Sequence, residues 1–199
     1  MHTPIIAIDI DDVLADYAAG FVKFSNARWG LNLTIADYDE HWGNVWCVDV
    51  DEVRRRADII HVENMVKNLK HKPEAFPVLQ RLSRDFTLSV VTSRRIQNKA
   101  DTLEWLQKHY PMISPELITF AGFFDSIDED SIKKTKGGLI ASLGASYMID
   151  DLPKHCLSAV DHGVEALLFG DYTWNQNDGL GEAVHLVKDW KAVEDYFYG

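Results

Sequence analysis

Pro4-Ile5-Ile6-Ala7-Ile8-Asp9-Ile10-Asp11-Asp12-Val13-Leu14 holds a short unbroken apolar run that ends abruptly in carboxylates. A continuous β-branched run of this length reads as a parallel strand buried on both faces, with Asp9 at its C-terminal end. The same pattern recurs along the chain. Phe86 to Val91 ends at Thr92-Ser93, Leu117 to Phe120 is followed by Ala121-Gly122, Ser146 to Ile149 ends at Asp150-Asp151, and Val164 to Phe169 is stopped by Gly170. Helical patterns lie between them, over Ile96 to His109 with Leu103 and Leu106 on one face, and over Gly137 to Leu143 closed by Gly144. Short apolar strands alternating with helices predict an α/β fold, an open parallel sheet with helices on both faces.

Between the first two strands the spacing is too long for a simple crossover. Residues 17–72 are helical in pattern and aromatic, holding Phe21, Phe24, Trp29, Tyr38, Trp42 and Trp46. Helices are expected from Ala15 to Arg28 before Gly30, from near Thr34, and from Asp51 to Val62, with Pro73 to Arg84 returning the chain to the sheet. This predicts two units: an α/β core over 1–16 and 73–199, and a small helical cap over 17–72, placed above the C-terminal edge of the sheet.

The 199 residues, 46% of them apolar, suffice for one sizeable core with such an appendage. Twenty basic against 31 acidic residues give a net charge of -11, which repels a phosphate backbone or an anionic membrane. Nucleic-acid polymers and membranes are therefore excluded as partners, and an anionic small molecule must be drawn by a local device such as a metal ion, a Lys or a helix N-terminus. The run Ile5 to Ile8 is broken at once by Asp9, Asp11 and Asp12, so it reads as neither a signal peptide nor a span. Cys47 and Cys156 lack metal or redox spacing and fit two buried free thiols in a reducing, cytoplasmic setting. The sequence allows a homodimer without selecting one.

In open α/β sheets the ligand lies outside the carboxyl ends of the strands. Three of the expected strands end there in reactive groups: Asp9-Ile10-Asp11, Thr92-Ser93 and Asp150-Asp151. Converged, these carboxylates form a hard oxygen cage suited to magnesium, with positions left for water and a phosphate oxygen. One carboxylate can then attack phosphorus while a second protonates the leaving oxygen and later activates water. An EF-hand does not fit, because Leu14 stands where its loop needs Gly and Gly20 where it needs the bidentate Glu.

These residues resemble the haloacid dehalogenase-like hydrolases, whose first motif is an apolar strand followed by D-x-D-x-V/T-L/V; Ile5 to Leu14 matches it throughout. The resemblance implies a three-layer, Rossmann-like parallel core and a phosphotransfer site. In it Asp9 is the nucleophile, Asp11 the acid/base with its backbone carbonyl on the metal, and Thr92 a hydrogen-bond donor to the phosphoryl group. Lys136, 14 residues before Asp150, takes the place of the family's lysine, and Asp150-Asp151 completes a Mg2+ site. The four motifs occur in order across residues 5–151. A narrower resemblance is to the cytosolic-type 5'(3')-deoxyribonucleotidases, through Asp9 to Tyr17, Met148 to Pro153, Leu168-Phe169 followed by Trp174-Asn175, and Val187 to Trp190. Their usual Gly is here Asp12. This implies hydrolysis of nucleoside monophosphates, with cap aromatics holding the base.

Several positions carry two readings. Lys133 and Lys134 compete with Lys136 for the phosphate. Asp151 is a second metal ligand or a partner that orients Lys136. Arg94 and Arg95, with Ser93, either reach an anionic substrate or, for the arginines, face solvent. Tyr38, Trp42 and Trp46 stack on a base or belong to the cap core. His155 reads as a loop residue, and Asp125 to Asp130 as a solvated acidic loop. For the whole chain the alternatives are a phosphatase of a sugar phosphate or other small phosphorylated metabolite, and a non-catalytic magnesium-binding receiver-like domain.

Overall fold

The computed structural model describes residues 3–125, 130, 133–176, 180–181 and 183–199. Six strands form one sheet: β1 (Ile5–Ile8), β2 (Thr87–Thr92), β3 (Ile118–Phe120), β4 (Ala145–Asp150), β5 (Glu165–Phe169) and β6 (Val184–Val187). Their order is β3-β2-β1-β4-β5-β6 and every pairing is parallel. β1 therefore lies between β2 and β4, with Ile8 level with Val90 on one side and Ile149 on the other. Asp9 extends that alignment by donating its backbone N–H to the Ile149 carbonyl at 2.9 Å.

Eight helices are described: α1 (Tyr17–Trp29), α2 (Trp42–Trp46), α3 (Val50–Val62), α4 (Ala75–Leu82), α5 (Lys99–His109), α6 (Gly137–Ser142), α7 (Pro153–Asp161) and α8 (Trp190–Tyr198). Because successive strand side chains alternate faces, two apolar clusters form. Ile6, Ile8, Val90 and Ile149 pack with Leu79 of α4, Leu106 of α5 and Trp190 of α8. Ala7, Val91, Met148 and Ala166 pack with Ile140 of α6 and with Cys156 and Ala159 of α7. The result is the three-layer arrangement expected from the strand runs. α7, α8 and β6 carry no long apolar run and were not expected from periodicity.

The chain leaves and rejoins the sheet layer at one place. Asp16 donates its N–H to Lys70 O at 2.9 Å, and Lys72 donates its own to Leu14 O at 2.8 Å. Buried aromatics tie the same strands of chain to the core: Trp190 Nε1 donates to Val13 O and Trp105 Nε1 to Leu69 O, both at 2.9 Å. Between these ends, Trp46 is not available to a ligand. Its ring lies 5.0 Å from Phe21 at 15°, its Nε1 donates to Ser25 Oγ at 3.0 Å, and it is 3% exposed, so it is core where base stacking was the other reading. α1 starts at Tyr17 instead of Ala15, because residues 10–15 form a tight turn in which Leu14 and Ala15 both donate to Ile10 O. Of the acidic stretch 125–130, residues 126–129 lie outside the described residues, while Asp125 and Asp130 are exposed. Among the described residues no helix is long and apolar enough to cross a membrane.

α6 and α7 meet closely at Gly137, next in sequence to Lys136. A Cβ added there would lie 2.2 Å from the Ser158 carbonyl oxygen, whereas at Gly138 the nearest atom is 3.4 Å away. Overpacking against backbone costs about 1–3 kcal/mol. Gly137→Ala is therefore expected to lower the urea unfolding midpoint clearly, and Gly138→Ala to leave it nearly unchanged.

Candidate active site

Each strand flanking the sheet centre delivers a polar group at its C-terminal end. Asp9 follows β1, Thr92 closes β2 and Asp150 closes β4, with Asp151 next. Asp9, Asp150 and Asp151 are all buried, and one carboxylate oxygen from each lies within 4.8 Å of the others. Lys136, 1% exposed, enters just before α6 and donates Nζ to Asp9 Oδ1 at 2.5 Å and to Asp150 Oδ2 at 2.8 Å. Of the neighbouring lysines, Lys133 pairs with Asp130 at an exposed position and Lys134 donates to Phe123 O.

Two of the three carboxylates, Asp9 and Asp150, thus share one ammonium away from water, while Asp151 lies beside them. Burial raises the Asp9 carboxyl to about 7, helped by Asp150 and Asp11 and opposed by Lys136. Burial also raises Asp151 well above the ordinary carboxylate range, with Asp150 and Asp12 adding to it. For Lys136 burial works against the ammonium, but Asp150 and Asp9 outweigh it and hold its pKa raised. A hard, oxygen-only donor set carrying excess negative charge fits a magnesium-like dication.

Asp11 sits apart from this trio. Its carboxylate faces Arg94, whose Nε lies 3.0 and 3.1 Å from its two oxygens and whose Nη2 lies 2.6 Å from Oδ1. Asp11's backbone N–H turns back to Asp9 Oδ2 at 3.0 Å, fixing the second oxygen of that carboxylate. Arg94 is 5% exposed, so it does not face solvent; it lines the cavity with its fork turned to Asp11. Arg95 pairs with Asp58 of α3 at 2.9 Å. Thr92 is fully buried, its hydroxyl accepting the Arg94 backbone N–H at 3.2 Å, whereas Ser93 presents a buried hydroxyl without a partner among the described residues.

Above these groups opens a cavity of about 860 Å³ whose lining includes Asp9, Asp11, Ser93, Lys136 and Asp151. Tyr38 and Trp42 line it as well, as the sequence allowed, and so does Trp174. Trp174 stacks on Tyr172 at 4.5 Å and 6°, meets Tyr38 edge-on at 5.2 Å, and donates Nε1 to Asp151 Oδ2 at 2.7 Å. No periodicity pointed to it, since it lies on a turn after β5. His155 is also on the wall; it belongs to α7, not to a loop, is 2% exposed and has no partner for Nδ1 among the described residues. At the rim Lys154 donates to both oxygens of Glu40 at 2.8 and 2.7 Å.

Asp12 explains the glycine expected at its place. Its φ is +59°, the left-handed region that glycine favours and Asp tolerates better than most. Both carboxylate oxygens accept the Ala18 N–H, at 3.2 and 3.1 Å, in the first turn of α1. The side chain is therefore turned to the helix rather than to the carboxylate trio.

A family model described as "5' nucleotidase, deoxy (Pyrimidine), cytosolic type C protein" matches residues 3–134. A protein of Staphylococcus epidermidis named "Putative 5'(3')-deoxyribonucleotidase" is 25% identical over 203 residues, covering 96% of this chain and 94% of its own. One of Staphylococcus aureus with the same name is 24% identical over the same shares. Among solved structures, a haloacid dehalogenase-like family hydrolase from Streptococcus pneumoniae superposes with a TM-score of 0.66 at 15% identity, covering 98% of each chain. A hydrolase of that family from Deinococcus radiodurans, solved with bound phosphate and sodium, gives 0.62 at 12% identity, covering 98% of this chain and 96% of its own.

Burial, with Asp11 beside it, raises the Asp12 carboxyl to about 8 against an ordinary 3.8, so the fold favours its protonated form. The cost of ionising it is absent below pH 4, grows as pH rises, and is complete above about 8. Asp12→Asn keeps the acceptor for Ala18 and the backbone preference but carries no charge. Its stability relative to wild type is expected to rise by at least about 1 kcal/mol between pH 5 and pH 8. Urea unfolding at both pH values checks this.

Proposed function

Because the chain belongs to the cytosolic type C deoxy (pyrimidine) 5'-nucleotidase family, a family of phosphoric monoester hydrolases with the haloacid dehalogenase-like fold, we propose that it dephosphorylates (deoxy)nucleoside monophosphates through an aspartyl-phosphate on Asp9. The observation that carries this reading is the buried Asp9–Lys136–Asp150 contact at the floor of a cavity walled by Tyr38, Trp42 and Trp174. Charged groups and aromatic rings line one cavity, which suits a ligand that carries both a phosphate and a flat ring. In this reading residues 17–72 act as the cap, and the free thiols, Cys156 buried as expected and Cys47 exposed where burial was expected, accord with a reducing cytoplasm.

Asp9 attacks phosphorus with one carboxylate oxygen; the bond from phosphorus to the nucleoside oxygen breaks, and its electron pair leaves with that oxygen. Asp11 supplies the proton. Water then attacks the same phosphorus, losing a proton to Asp11, as the Asp9–phosphorus bond breaks and returns its pair to the carboxylate. Lys136 holds Asp9 in place and offers its ammonium to the equatorial oxygens, and the unpartnered Ser93 hydroxyl is a further donor for them. Thr92 supports the turn by accepting the Arg94 N–H. Mg2+, held by Asp9, Asp150, Asp151 and the Asp11 carbonyl, would neutralise phosphoryl charge in this acidic site. Tyr38 and Trp42 are the stacking candidates for the base.

With Mg2+ present, Asp9→Asn is expected to abolish phosphate release from deoxynucleoside monophosphates, while Asp11→Asn slows it and accumulates phosphorylated enzyme. Wild-type turnover by Asp9→Asn would remove the assignment. Base stacking is worth about 1–3 kcal/mol, so Trp42→Ala should raise KM roughly 5- to 150-fold for nucleotides. A panel of nucleotides and sugar phosphates measures this, since Trp42→Ala leaves KM for sugar phosphates nearly unchanged.

A further inference from the structure

Arg94 is built into the core more firmly than a substrate-binding arginine needs to be. Its side chain is 2% exposed, while that of Asp11, which it grips, is 25% exposed. Nη1 donates to Thr102 Oγ1 of α5 at 3.2 Å, the backbone N–H is tied to Thr92 Oγ1 at 3.2 Å, and the guanidinium lies 5.9 Å from the Trp105 ring centre. Thr102 is fully buried and Trp105 is 2% exposed, so the anchors themselves are fixed. Held by both flanks, the fork has little freedom to follow a ligand.

The two oxygens of Asp11 are not treated alike. Among the described residues, Oδ1 receives two donors, from Nη2 at 2.6 Å and Nε at 3.0 Å, whereas Oδ2 receives only the longer Nε contact at 3.1 Å. Planar guanidinium geometry fixes the carboxylate plane as well as its position, which a lysine could not do.

We propose that Arg94 is the positioning residue for proton transfer: it clamps Asp11 by Oδ1 and so aims Oδ2 at the oxygen that leaves phosphorus and, later, at the attacking water. This rests on the mechanism proposed above and adds to it the residue that orients the acid/base. Oδ2 gives its proton as the bond from phosphorus to the leaving oxygen breaks, and takes one back from water as the new oxygen–phosphorus bond forms, so protons balance over the cycle. Thr92 and Thr102 then serve as the seats of the clamp.

Leaving groups of different basicity test it. An alkoxide from a deoxynucleoside monophosphate needs a proton as it departs, whereas nitrophenolate from p-nitrophenyl phosphate does not. Arg94→Met is expected to lower kcat on the nucleotide roughly 100-fold with KM changed less than about threefold. On p-nitrophenyl phosphate the same variant should release one equivalent of nitrophenolate per enzyme at close to the wild-type rate, and then turn over slowly. Arg94→Lys, keeping the charge without the fork, should recover only a small part of the nucleotide rate. Thr102→Val removes one seat without touching Asp11; it is expected to shift the same ratio of rates in the same direction by a smaller factor, and it carries the test if Arg94→Met does not fold. Equal losses on the burst and on nucleotide turnover, or a raised KM with kcat intact, would overturn the proposal while leaving the nucleotidase reading standing. Wild-type protein that released phosphate from neither ester in Mg2+ would instead defeat that reading itself.

Discussion

The contact on which the structure turns is Lys136 between Asp9 and Asp150, closed off from water at the centre of the sheet edge. Breaking a buried charge pair on one side leaves an uncompensated ion, a loss of about 3–5 kcal/mol, yet replacing the whole set by apolar residues is often neutral or stabilising. A cluster of this kind is therefore poorly explained by stability alone. The raised proton affinities of Asp9 and Asp151 point the same way, because the fold holds these carboxylates where their own charge is unfavourable. Strain of this sort is retained where charge is to be exchanged with a ligand.

Topology makes the cluster unavoidable once the strands pair. β1 has β2 on one side and β4 on the other, so the residues that follow these three strands emerge side by side. Lys136 arrives from a fourth direction, just ahead of α6, and the close approach of α6 to α7 at Gly137 sets how far it reaches. The helical segment leaves at Asp16 and returns at Lys70 to Lys72, next to the same edge. Its aromatic residues Tyr38 and Trp42 thereby face chemistry that is distant in sequence.

What was legible in the sequence follows the physics of burial. Strands buried on both faces must be apolar throughout, so β1, β2, β4 and β5 announce themselves, and the carboxylates at their ends stand out by contrast. β6 is an edge strand with Leu186 exposed, and so gives a weaker pattern. α7 is built on Pro153, His155, Cys156 and Ala159, residues that suggest a loop until the sheet is there to cover them. Trp46 and Trp42 have the same composition cue and both pack against Phe21, yet only Trp46 is buried, with its Nε1 on Ser25, a difference that no spacing encodes. Arg94 was legible as a cation near the site, but which anion it meets depends on the distance between the ends of β1 and β2.

Net charge frames the remaining problem. With -11 overall, the protein does not attract a phosphate at long range. The Lys and Arg side chains described on the cavity wall do not supply free positive charge either: Lys136 serves Asp9 and Asp150, Arg94 serves Asp11, Arg95 serves Asp58, Lys154 serves Glu40, and Lys133 serves Asp130. Binding an anion here must therefore proceed by exchange, a phosphate oxygen taking the place of a carboxylate oxygen at a cation already in position. Such exchange leaves the displaced carboxylate in need of a new partner, which a dication held by Asp9, Asp150 and Asp151 would provide. Long-range repulsion combined with short-range exchange favours small ligands that can enter the cavity whole over polymers that must first approach the surface.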